Sequence, residues 1–219
     1  MSIQVNITSN FDDSRPMKNY YKRTQFLTSA SQPGQFPEEE SMEIAFAGRS
    51  NAGKSSAINT LCQNKTLART SKTPGRTQLI NFFTLDDSRR LVDLPGYGYA
   101  KVPEKMRKDW QKLMENYLSS RDMLCGLVII MDIRHPLKDY DMQMIDWCHH
   151  FQIPVHVLLT KADKLKRGPA LQSLNTVKQI IKKQGFDATV QIFSALNKTG
   201  LNDLQQILDQ WLNLKEDEL

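Results

Sequence analysis

The chain has 219 residues, enough for one domain with a buried core plus a peripheral extension. Lys plus Arg outnumber Asp plus Glu by 29 to 24, a moderate excess compatible with an RNA or phosphate-rich partner and no proof of one. Cys62, Cys125 and Cys148 are scattered and form no CxxC pair, which argues against a disulfide framework, and the lack of a signal peptide or long apolar run argues against secretion and membrane spanning.

Residues 1–40 mix Asn, Ser and Asp with Tyr20-Tyr21-Lys22-Arg23 and a Pro- and Gly-containing stretch, Gln32-Pro33-Gly34. They read as an arm packed on the domain, with one short helix around 18–26. The two tyrosines and two cations could stack and pair with RNA, but aromatics anchoring the arm are the simpler reading. Residues 41–219 read as one domain.

From residue 43 the pattern is strand, loop, helix, repeated. Residues 44–47 form a short buried strand and 54–62 the first helix. Residues 64–76 are polar and turn-rich, a loop long enough to suspect function. Strands follow at 78–85 and 90–92, joined by Asp86-Asp87-Ser88. Met106, Trp110, Leu113, Met114, Tyr117 and Leu118 recur at helical spacing, a core-facing stripe. The almost unbroken apolar run 124–131 has the composition of a central parallel strand covered on both faces. A helix near 139–150, a strand at 155–159, a helix around Leu171, Leu174 and Ile181, a strand at 189–193 and a helix striped by Leu201, Leu204, Ile207, Leu208, Trp211 and Leu212 complete the chain. This alternation predicts a doubly wound α/β domain with its ligand at the carboxyl ends of the strands.

Between the first strand and first helix stands Gly48-Arg49-Ser50-Asn51-Ala52-Gly53-Lys54-Ser55, a phosphate-binding P-loop pattern. Glycines let successive N–H groups turn toward phosphate, and the helix N-terminus adds attraction for an anion. Lys54 would reach the β- and γ-phosphates, and the Ser55 hydroxyl would ligate Mg²⁺. The fold expected is therefore a three-layer P-loop NTPase, or G domain, with a mostly parallel six-stranded sheet and one antiparallel edge strand.

Three later stretches select the base and the switch. Asp93-Leu94-Pro95-Gly96 follows a strand, where a carboxylate can hold a water of the Mg²⁺ shell and the Gly96 N–H can approach the γ-phosphate. Thr160-Lys161-Ala162-Asp163 ends another strand. There Asp163 can accept from guanine N1–H and the 2-amino group, while the Lys161 stem covers the base. Adenine offers neither donor and would leave a carboxylate unpaired, a cost of several kcal/mol. Phe193-Ser194-Ala195 supplies a small-residue loop whose N–H groups can face guanine O6. Together these predict GTP and GDP as ligands.

GRSNAGKS, TPGRTQ, DLPGYGYA, TKAD and FSA, in this order, resemble the bacterial EngB (YihA/YsxC) family of translation-factor-class GTPases over about residues 40–215. The resemblance implies a cytoplasmic, Mg²⁺-dependent GTPase, acting in assembly of the large ribosomal subunit and needed for normal cell division and septation. It implies that Gly75, Arg76, Thr77, Gln78 and Leu79 lie in the first switch, with Thr77 favoured over Thr73 as the second Mg²⁺ ligand beside Ser55. Lys54, Asp93 and Gly96 would carry catalysis, and the partners would be guanine nucleotide and ribosomal RNA, with no membrane and a monomeric chain.

In small GTPases such as Ras a glutamine after the DxxG orients the attacking water, a role Tyr97 cannot fill. Slow intrinsic hydrolysis, raised by a partner or a monovalent cation, is the expectation. Asn51 matches the asparagine that holds K⁺ in some related GTPases, with a loop-bracing hydrogen bond as the alternative. Lys101, Lys105, Arg107, Lys108 and Lys112 form the candidate RNA surface. Rival readings are a GTP-dependent binding module with negligible catalysis and a P-loop kinase or ATPase.

Overall fold

In the computed structural model, which describes residues 20–38, 41–68, 79–98 and 103–215, the central strands alternate between two apolar layers. Ile44 and Phe46 of β2 (Met42–Gly48) enter one layer, while Ala45 and Ala47 enter the other. In β5 (Leu124–Asp132), Val128 and Ile130 face the first layer, and Leu127, Ile129 and Met131 the second. A strand covered on both faces needs such an unbroken apolar run.

The first layer is closed by α1 (Lys54–Leu61) and α5 (Leu201–Trp211). The second is closed by α2 (Glu104–Ser120), α3 (Asp139–His150) and α4 (Arg167–Lys183), through residues such as Trp110, Met114, Met144, Ile145, Val177 and Ile181. At Gly126 the missing side chain lets the Trp211 ring of α5 rest on β5, since a Cβ there would lie 2.3 Å from it. Buried Glu43, at the start of β2, accepts from the Tyr117 hydroxyl at 3.0 Å and pairs with Arg121, which fixes the end of α2 against the sheet.

The remaining strands are β1 (Gln25–Ala30), β3 (Ile80–Asp86), β4 (Arg89–Asp93), β6 (Val155–Thr160) and β7 (Ala188–Ile192), and the sheet order is β1-β3-β4-β2-β5-β6-β7. The described sheet thus has seven strands where six were expected. The antiparallel strand is β3, which lies second from the edge, because β1 pairs outside it. β1 was hidden in the sequence by its edge position: Phe26 and Leu27 are exposed, and its other residues are mostly polar.

Where a helix around 18–26 was expected, the described part is a single 3₁₀ turn (Tyr20–Arg23) leading into β1. Both tyrosine rings are buried, and the Tyr21 hydroxyl donates to Asp209 Oδ1 at 2.7 Å. They anchor the segment rather than face solvent. Residues 1–19 lie outside the described residues.

Candidate functional site

β2 delivers the chain into the phosphate-loop motif at Gly48, where a Cβ would meet the Ile130 carbonyl at 2.8 Å. The turn then passes Asn51 at φ 61° and Gly53 at φ 105°, and α1 begins at Lys54. A side chain on Gly53 would be strained at that φ and would also press on Thr160. Inside the turn the Ala52 N–H donates to Arg49 O at 2.9 Å, and Gly53 O accepts from the Ala57 N–H at 2.9 Å.

The stretch after β4 lies against this loop. The Leu94 N–H donates to Phe46 O at 3.0 Å, the Tyr97 N–H to Gly48 O at 3.3 Å and the Ser50 N–H to Tyr97 O at 2.8 Å. Gly96 sits so close that a Cβ would be 3.5 Å from Ser50 N. Pro95 O accepts from the Trp110 indole N–H at 3.2 Å. The Lys54 ammonium forms an ion pair with Asp93, and Ser55 follows in the first turn of α1.

Thr160, Lys161, Ala162 and Asp163 leave the end of β6 and reach the same loop from the other side. The buried Thr160 hydroxyl contacts Ala52 O and lies 3.0 Å from Met131 O. Lys161, left-handed at φ 59°, sends its ammonium to Asn51 O at 2.5 Å and Asp132 Oδ2 at 3.0 Å. Asp163 Oδ1 accepts from the Ser194 hydroxyl at 2.8 Å. That bond, helped by Lys164, holds the Asp163 carboxyl below its ordinary range even though partial burial works the other way.

Phe193 is buried, and its carbonyl accepts from the Ala162 N–H at 3.1 Å, so the loop after β7 is tied to the loop after β6. Ser194 is buried and accepts from the Asn197 N–H at 3.2 Å, while Ala195 packs on the apolar layer beneath. A cavity of about 430 Å³ opens beside Asp163, with Leu165, Ala170, Leu171 and Ile192 among its lining.

Four of the predicted stretches therefore converge at the carboxyl ends of β2, β4, β6 and β7. Of the residues expected in a first switch, Leu79 is described, just before β3, whereas Gly75, Arg76, Thr77 and Gln78 lie outside the described residues, as does Lys101.

Three participants escaped the sequence reading. Asp132, at the end of β5, accepts from Lys161 and from Arg134 Nε at 2.9 Å. Its burial opposes ionisation, but those cations outweigh it and hold the carboxyl well below the usual range. Its place at a strand's carboxyl end was the available signal. Trp110 read as core only. Asp141, near the start of α3, accepts from the buried Tyr97 hydroxyl at 2.8 Å, and nothing in the sequence distinguishes it from an ordinary acidic residue in a first helical turn.

Comparison with known proteins bears on the same stretches. The family profile described as "50S ribosome-binding GTPase" matches residues 43–161. "Probable GTP-binding protein EngB" of Photorhabdus laumondii is 54% identical over 200 residues, 91% of this chain and 95% of that protein. Its namesake from Coxiella burnetii is 52% identical over 191 residues, 87% of this chain and 93% of that one. A crystal structure of a "probable GTP-binding protein engB" superposes with a TM-score of 0.64 at 21% identity, covering 79% of this chain and all of that one, which supports the α/β fold. The chain belongs to the EngB family of GTP-binding proteins.

Proposed function

We propose that this protein is a Mg²⁺-dependent GTPase switch that hydrolyses GTP slowly and acts, as a cytoplasmic monomer, in large ribosomal subunit assembly and thereby in normal cell division and septation. The observation that carries the reading is the join between base reader and phosphate loop: Thr160 and Lys161 grip the carbonyls of Ala52 and Asn51. The join places both motifs within reach of one ligand, which we read as a guanine nucleoside triphosphate. Asp163 would accept from guanine N1–H and the 2-amino group, and the loop after Phe193 would offer N–H groups to O6. Gly48–Ser55 would wrap the phosphates, with Lys54 exchanging Asp93 for phosphate oxygen. Arg76, Gln78, Leu79 and Gly75 would close from the first switch.

The donors available suit a hard divalent ion. Among the described residues no cluster of three or more His, Cys, Asp or Glu side chains could hold a metal by itself. The hydroxyls of Ser55 and Thr77, with Asp93 acting through water, form instead the oxygen-only, partial set on which Mg²⁺ relies when phosphates complete its shell. Bound there, Mg²⁺ would neutralise charge on the phosphates. K⁺ would sit against Asn51, whose side chain is exposed at the loop.

Slow hydrolysis is supported by the burial of Tyr97, 2% exposed and committed to Asp141, which removes it as a water-orienting group. The ribosomal role is supported by the family profile and by Lys105, Arg107, Lys108 and Lys112, all exposed on α2 next to the second switch. The decisive experiment is displacement of labelled GTP by unlabelled GTP or ATP. Displacement by GTP at concentrations hundreds of times lower than ATP is expected, and equal displacement overturns the reading. Phosphate release with and without 50S subunits then separates a GTPase from a mere GTP-dependent binding module: the switch requires turnover that rises with the subunit.

A further inference from the structure

We infer that Asp141 of α3 is a positioning residue for the γ-phosphate end of the site, acting through Tyr97; the inference rests on the reading of the site given above. Tyr97 is held at both ends. Its backbone is stitched to the phosphate loop through Gly48 O and the Ser50 N–H, and its hydroxyl donates to Asp141 Oδ1 at 2.8 Å. Asp141 is itself fixed, because its other carboxylate oxygen accepts from the Lys138 N–H at 3.0 Å and its own N–H donates to Lys138 O at 2.7 Å. Trp110, 5.5 Å from the Tyr97 ring, pins Pro95 O from a third element.

Gly96 lies between these two held residues, with its Cα side turned to Ser50. The Gly96 peptide is therefore held from two directions, by the phosphate loop through the Tyr97 backbone and by α3 through the Tyr97 side chain. Gly98, at φ 73° against the Arg49 side chain, is the next position with a glycine's freedom to swing. Stability alone does not explain such an anchor. Asp141 is 1% exposed, burial pushes its carboxyl above the ordinary range against the help of Tyr97 and Lys138, and an apolar pair of similar shape would avoid that desolvation. What a hydroxyl–carboxylate bond adds over apolar packing is a fixed direction. A donor aimed at a developing phosphate charge needs a fixed direction, since small misplacements cost much of its effect.

The test measures GDP and GDPNP binding by calorimetry for wild type, Tyr97→Phe, Asp141→Ala, the double variant and Asp141→Asn, with melting temperatures alongside. Tyr97→Phe keeps the ring and removes only the hydroxyl. It is expected to weaken GDPNP about five- to tenfold while GDP stays within about twofold. The double variant should be no worse than the weaker single, and Asp141→Asn, which retains an acceptor oxygen, should recover most of the loss. Equal weakening of both nucleotides, or a lower melting temperature with both affinities unchanged, means a merely structural bond and overturns the inference. Wild type that binds neither nucleotide overturns the site reading and this inference with it, a result separable from a variant-only null because it appears before any substitution.

Discussion

Lys54 and Asp93 meet as an ion pair at the mouth of the phosphate loop, their side chains only 12% and 8% exposed. Two charges so poorly hydrated hold each other in place, and removing one strands the other. Without nucleotide, Lys54→Met is expected to lower unfolding free energy by about 3 kcal/mol. The double variant Lys54→Met, Asp93→Asn should regain most of that, because no unpaired charge remains. Urea unfolding of the three proteins checks the order. A single variant no worse than the double would show that the pair is solvated and weak.

Ser194 sets the ionisation of Asp163. Asp163 has a depressed carboxyl, so its charge persists above that low value and is lost only as pH falls through it. Ser194→Ala removes the leading cause of the depression. GDP affinity of the variant should start to fall at higher pH than in wild type, with little change near neutrality. Titrating GDP binding from pH 7 downward reads this directly. Superimposable profiles would mean that Ser194 supports only the loop.

His156 lies within β6, 1% exposed, with Nδ1 2.7 Å from Thr189 Oγ1. Burial pushes its pKa down to about 4, below the ordinary imidazole value, so the unfolded chain binds the proton first. Stability is therefore complete above about pH 6.5 and declines as pH falls toward the folded value, by about 2 kcal/mol at pH 5. His156→Gln should flatten that part of the urea-midpoint profile between pH 7 and 5, the rest reflecting other groups.

Gly126→Ala is expected to cost about 2–3 kcal/mol, since the methyl would overlap the Trp211 ring. Adding Trp211→Leu should return part of that stability by making room. Thermal melts of the single and double variants decide; a Gly126→Ala protein as stable as wild type would show that α5 shifts freely on the sheet.

The parts of this molecule legible in the sequence are those where one residue type is required at one place. Gly53 at φ 105°, the unbroken run of β5 and the amphipathic face of α2 each leave a local pattern. What could not be read depends on partners far along the chain. β1 is a strand because β3 offers it an edge, and its own polar residues carry no such message. Asp141 matters because Tyr97, 44 positions earlier, ends opposite it. Asp132 lies between these cases: its place at the carboxyl end of β5 was a usable signal, but only the reach of Lys161 gives it a role.

The carbonyls of Gly48, Arg49, Asn51, Ala52 and Gly53 all have donors of their own, from Tyr97, Ala52, Lys161, Thr160 and Ala57. Each of these five oxygens thus already accepts a hydrogen bond, which weakens the repulsion it would offer a polyanion. Toward an incoming triphosphate the loop is therefore less repellent than five bare carbonyls would make it, although its sequence carries only a single lysine and a single arginine.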